Sequence, residues 1–114
     1  MKLETALKLE KVVEKLITSR LQSLDVPENF HSVKVDIYPG DYGIYCHVSF
    51  LMKQPFSRED SDFFNDLEFK RPIISAIISA FGDIFTGGIQ SGQSTIAHYE
   101  KVGKWYDIQK ERFE

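Results

Sequence analysis

Cysteine is almost missing from this chain: Cys46 stands alone among 114 residues, so no internal disulfide can form and a zinc site built on several thiolates is excluded. That usage fits a reducing compartment, and a cytoplasmic location is expected. A long apolar run is missing as well. In MKLETALKLEKVVEKLITSRLQSL the residues Lys8, Glu10, Lys11, Glu14 and Lys15 interrupt the apolar sequence, so neither a signal peptide nor a membrane span is expected. Charge of one sign is not in excess either. Fourteen Lys and Arg against 17 Asp and Glu give a net charge of −3, so the chain as a whole has no electrostatic drive toward a polyanion, although a local basic patch remains open.

What is present describes a foldable chain. With 42% hydrophobic, 27% charged and 13% aromatic residues, the composition is globular, and a length of 114 residues matches a single domain spanning 1–114. Residues 3–24 read as an amphipathic helix: Leu9, Val12, Val13, Leu16, Ile17, Leu21 and Leu24 recur at three- and four-residue steps, and Glu4, Lys8, Lys11 and Lys15 gather on the opposite side. Pro27 stops it. Val33, Val35 and Ile37 alternate with Lys34 and Asp36 as a strand, Tyr38-Pro39-Gly40-Asp41 predicts a type II turn with Gly40 at the positive-φ position, and 43–53 completes a hairpin.

Ser57 and the carboxylates Glu59, Asp60, Asp62 and Asp66 suit a helix start, and a second helix is expected over 59–70 with a boundary at Pro72. Residues 72–85, PIISAIISAFGDIF, place Ile73, Ile74, Ile77, Ile78, Phe81, Ile84 and Phe85 on one broad helical face. Ser75, Ala76, Ser79, Ala80, Gly82 and Asp83 share the other. The bulky side is predicted to anchor on a sheet. The small side, with Ser75, Ser79 and Ala80, permits close approach by another helix or a second subunit and is the candidate oligomer face.

The glycine-rich FTGGIQSGQST follows that helix and precedes strand-like sequence. A phosphate loop needs the reverse order, glycines leading into a helix N-terminus, and no Gly-Lys-Ser/Thr or Gly-x-Gly-x-x-Gly pattern occurs. Gly87 and Gly88 are therefore read as a left-handed helix cap and hinge, with Ser91–Ser94 left mobile. His31, His47 and His98 lack metal-type spacing, though His47 and His98 on neighbouring strands could meet with Asp36 nearby. Cys46 falls mid-strand on the core face, where a thiol is inert. The acidic group lacks the spacing of a calcium loop. No cofactor or metal is expected, and no catalytic constellation stands out.

At the C-terminal end 95–101 and 104–108 are predicted as a second hairpin turning at Val102-Gly103, with 109–114 undecided between strand and helix. Tyr99, Lys101, Lys104, Trp105, Tyr106 and Lys110 interleave rings and ammonium groups, a combination used to stack bases and hold phosphates, yet Glu100, Asp107, Glu111 and Glu114 cancel the charge. The order helix, hairpin, two helices, strand is also that of the bacterial-type KH RNA-binding domain. Glu68-Phe69-Lys70-Arg71-Pro72 stands where that family has its Gly-x-x-Gly loop, so the family is not assigned.

The expected fold is α+β, a two-layer sandwich of order α-β-β-α-α-β-β with a mainly antiparallel sheet and helices on one face. The function expected first is a non-catalytic interaction module, a small accessory or viral-type protein acting through self-association or a protein partner. The alternative is nucleic-acid binding through Lys101, Lys104 and Trp105 together with the Lys8, Lys11 and Lys15 face.

Overall fold

Helix α1, Leu3–Leu21, forms because Ala6, Val13, Ile17 and Leu21, at steps of seven, four and four residues, return to one side, and all four are buried. A computed structural model describes residues 1–113 and continues from α1 into strands β1 (Phe30–Gly40) and β2 (Gly43–Met52), helices α2 (Arg58–Asn65) and α3 (Leu67–Phe81), strand β3 (Gly88–Thr95) and helix α4 (Ile96–Lys110). A three-stranded mixed sheet with four packed helices makes the fold α+β.

Strands β1 and β2 pair antiparallel, with Val35 opposite Val48 and Gly40 opposite Gly43. The reversal is made by Asp41 and Tyr42, and the positive φ falls on Gly43 at 131°, not on Gly40. A Cβ at Gly43 would also meet the Thr86 side chain. Strand β3 runs parallel to β2, from Gly88 beside Tyr45 to Thr95 beside Met52. A parallel neighbour requires a crossover, which α2 and α3 supply. The sheet is consequently mixed, a correction to the mainly antiparallel expectation.

Alternation along the strands divides the sheet into two unlike faces. Val35, Ile37, Cys46, Val48, Phe50 and Met52 point to the side where α1, α3 and Phe64 complete the hydrophobic core. Asp36, Tyr38, Tyr45 and His47 point to the other side, where α4 lies with Tyr106 against both Tyr38 and His47. Helices thus cover both faces rather than one, and the predicted final hairpin is one strand and one helix. Thr95 starts that helix by accepting the His98 N–H at 3.1 Å. The helical period was hidden because the buried side of α4 carries Tyr99, Tyr106 and Lys110 rather than aliphatic residues.

Two further boundaries move. The break between α2 and α3 falls at Asp66, whose carboxylate accepts the Glu68 N–H, and Pro72 lies inside α3. The capping role read for the acidic cluster holds at Asp60, which forms a reciprocal capping box with Ser57. The glycine segment is not a cap and a mobile loop. Helix α3 ends at Phe81 with Gly82 right-handed, Gly87 donates its N–H to the Ile44 carbonyl at 2.9 Å, Gly88 takes φ 124°, and Ser91–Ser94 belong to β3.

The isoleucine face of α3 is narrower than its sequence predicts: Ile73 and Ile77 are buried, whereas Ile78 is 54% exposed. Ile77→Ala should cost about 2–5 kcal/mol through its cavity. Ile78→Ala should change stability by roughly 0.5 kcal/mol or less, as at ordinary surface positions. Urea denaturation of the two variants side by side checks this; equal losses would contradict the seating of α3.

Candidate functional site

The sheet face under α4 carries a buried polar cluster drawn from three elements. Glu10 lies on the otherwise apolar side of α1, Asp36 projects from β1 toward α4, and Lys110 ends α4; their exposures are 3%, 1% and 6%. Lys110 Nζ donates to Asp36 Oδ1 at 2.7 Å and stands 2.8 Å from Glu10 Oε2. The Tyr99 hydroxyl donates to Asp36 Oδ2 at 2.7 Å. Glu10 Oε2 also accepts the Ile37 N–H at 2.8 Å, and Glu14 Oε1 accepts the Val35 N–H at 3.2 Å. Side chains of α1 therefore occupy the outer backbone edge of β1.

Two carboxylates share one ammonium here, and the titration behaviour follows. Burial raises the Glu10 pKa above 4.5 against the lowering effect of Lys110 and the Ile37 N–H. For Lys110 burial alone would lower the pKa, but the hydrogen bonds to Asp36 and Glu10 outweigh it and the net direction is up from 10.5. Burial and the Asp36 hydrogen bond push the Tyr99 phenol far up, and burial raises Tyr106 to about 12. Every buried side-chain nitrogen and oxygen among the described residues has a hydrogen-bond partner. This cluster holds its protons and spends its donors and acceptors on itself, which is the chemistry of a clamp.

Neighbouring groups share that character. His47 pairs across the strands with Asp36, as the sequence allowed, but burial lowers its pKa. Its Nδ1 lies 3.3 Å from the Ser49 hydroxyl. Burial pushes the Cys46 thiol up to about 12, away from the reactive thiolate. His98 sits at the start of α4, in a hollow with Pro55 and Phe56, and does not join His47 on a strand. Among the described residues no group of three or more His, Cys, Asp or Glu side chains is placed to hold a metal ion.

The candidate contact residues lie on the outside and in separate places. Lys101, Lys104 and Trp105 are exposed along α4 with Ile108, within one face when successive residues turn by about 100°. Lys8, Lys11 and Lys15 are exposed on α1, which packs on the opposite face of the sheet. Lys8 pairs with Glu4 at 3.1 Å, and Lys11 with Glu14 at 3.5 Å. Ser75, Ser79 and Ala80 are exposed on α3 and line a shallow groove of about 540 Å³ with Leu16 and Arg20 of α1. Lys110, grouped by sequence with the basic surface, is buried. Tyr99, grouped by sequence with the stacking rings, bonds Asp36 instead, and Glu10 went unrecognised although it betrays itself by its angular position among Ala6, Val13 and Ile17.

The two edges of the sheet differ. Where β1 is bonded by Glu10 and Glu14, the outer edge of β3 has no strand or side chain of another element bonded to its backbone among the described residues. Its sequence, GIQSGQST, contains no charge and no proline. No helix among the described residues is long and apolar enough to cross a membrane. No family model matches the chain, and no curated protein or solved structure is significantly similar to it.

Removing the ammonium strands two buried carboxylates, so Lys110→Met should cost about 3–5 kcal/mol. Tyr99→Phe leaves Asp36 one donor short and should cost about 1–3 kcal/mol. The folded-state pKa values of Lys110, Tyr99 and Tyr106 are all raised, so their contribution is complete below the ordinary values of 10.5 and 10.0 and is lost as pH climbs beyond them. Denaturation midpoints should accordingly fall at alkaline pH, with a shallower fall in Tyr99→Phe; an identical slope would remove Tyr99 from the clamp.

Proposed function

We propose that this chain is a non-catalytic interaction module that works through self-association or by holding a protein partner. The observation that carries this reading is the contrast between a β1 edge sealed at Val35 and Ile37 and an open, uncharged β3 edge. Folded proteins blunt exposed strand edges with lysine, proline, bulges or covering elements, because unpaired N–H and C=O groups recruit further strands. Here one edge is blunted and the other is left able to pair. Two copies meeting through β3 would extend the sheet about a two-fold axis, and the sealed β1 edges would stop further growth. The exposed Ser75, Ser79 and Ala80 face is a second surface for the same purpose.

Light scattering across a concentration series tests this reading. The wild type should show a mass approaching twice that of the chain, and Gln90→Lys, which brings like charges together across a symmetric strand pair, should return it to the monomer. Loss of the dimer in Ser79→Trp with retention in Gln90→Lys would move the contact to α3. A monomer at every concentration would leave the partner-binding form alone.

Nucleic-acid binding is the second reading, and the cations with Trp105 on the outer side of α4 favour it. Against it, Lys8, Lys11 and Lys15 occupy the opposite layer, so the two lysine groups do not extend one footprint. Binding of a single-stranded oligonucleotide that weakens steeply with salt and is lost in Lys101→Glu/Lys104→Glu would support it. Salt-insensitive or absent binding would dismiss it.

A further inference from the structure

We infer that the groove between the second half of α1 and the beginning of β1 receives an extended acidic segment of a partner protein, which pairs with the backbone of β1 at Val33. This inference rests on the interaction-module reading and assigns that module a surface and a partner chemistry. Helix α1 runs antiparallel along the outer edge of β1, so that Glu10 reaches Ile37 and Glu14 reaches Val35. Four residues of helix advance about 6 Å, and two residues of strand about 6.8 Å, which keeps successive rungs in step. The next rung would join residue 18 to Val33.

Residue 18 is threonine, whose hydroxyl sits two bonds short of a glutamate's reach, and no partner for the Val33 N–H occurs among the described residues. In an antiparallel ladder the N–H and C=O of one residue point to the same side. With Val35 and Ile37 directed outward, Val33 presents both groups outward too. Where the ladder stops, a groove of about 640 Å³ opens, with Leu21, Val26, Phe30 and Val33 in its lining and Lys11 and Lys15 along α1.

The charges around this opening are unbalanced. Lys11 and Lys34 both turn to Glu14, at 3.5 and 3.8 Å, and Lys15 has no carboxylate partner among the described residues. Three ammonium groups against one carboxylate leave an excess of two positive charges beside an unpaired strand edge. A segment that offers backbone C=O and N–H to Val33, apolar side chains to the groove and carboxylates to Lys11 and Lys15 satisfies all of these at once. A nucleic acid has no peptide N–H and C=O at strand spacing to match the Val33 pair.

The test uses the full-length protein, amide-labelled for NMR, with a capped hexapeptide alternating Val and Glu and a counterpart alternating Val and Lys. The Glu peptide should shift the Val33 amide and saturate it, while the Lys peptide leaves it unmoved. Lys15→Glu should weaken binding on the order of tenfold. Thr18→Gln supplies the missing rung without adding charge, so it should raise the melting temperature and abolish the peptide shift while the remaining spectrum stays native. No shift at Val33 with the Glu peptide at millimolar concentration, or equal shifts with both peptides, overturns the inference. A wild-type dimer in light scattering alongside such a result would leave the interaction-module reading standing without this groove.

Discussion

Lys110 between Glu10 and Asp36 is the contact on which the arrangement of this molecule depends. Three charges are withdrawn from water at one point, and their mutual attraction in a poorly polarisable interior offsets a desolvation cost of several kcal/mol per ion only when geometry and further hydrogen bonds are good. Both conditions are met: the ammonium touches each carboxylate at 2.7–2.8 Å, the second oxygen of Asp36 takes the Tyr99 hydroxyl, and Glu10 Oε2 accepts the Ile37 N–H alongside the ammonium. Such a cluster adds little net stability compared with an apolar replacement of equal volume. Its larger consequence is registry, because a helix that slid by one residue would leave its lysine unpaired and two carboxylates buried together.

Registry is what α4 needs. Its exposed side carries Trp105 and Ile108, its inner side is polar and aromatic, and no aliphatic stripe tells it where to lie. The Tyr38, Tyr45, Trp105 and Tyr106 rings give it a surface, with centroids near 5.5 Å, but ring contacts of this kind tolerate sliding. A salt-bridged end and a Thr95 cap fix both termini instead. The two sheet faces are thus held by unlike means: the α1 and α3 side by hydrophobic burial, the α4 side by directional bonds over aromatic contact.

This division also explains which parts of the fold were legible in the sequence. Helix α1, the first hairpin and the buried Ile73 and Ile77 of α3 were legible because burying aliphatic residues leaves a period of 3.6 or 2 in the chain. Where burial involves tyrosine and lysine the period is still there, at 99, 106 and 110, but it does not look hydrophobic, and a helix was mistaken for two strands. The α2–α3 junction is obscured for a related reason: Pro72 looks like a boundary but lies inside α3, and the capping carboxylate of Asp66 marks the true start. Of the candidate site, the exposed lysines were visible as residues, while the clamp was not. Glu10 and Asp36 are 26 positions apart and Lys110 a further 74, so only the folded chain brings them together, and the one local hint was an acid lying in an apolar stripe.

The clamp finally bears on how the molecule can meet others. An apolar residue at position 10 would leave Lys110 half-paired and the Ile37 N–H bare, loosening α4 and freeing the β1 edge at Ile37. A sheet with two free edges adds strands at both and grows without limit; a sheet with one sealed edge can use the other and still close. Glu10 and Glu14 therefore do more than hold a helix. By removing the Ile37 and Val35 N–H groups from competition they make an uncharged β3 tolerable, and by stopping before Thr18 they leave a single short stretch of β1, around Val33, where pairing stays open beneath a rim of lysines. Specificity in such a module comes from where backbone groups are withheld as much as from where side chains are offered.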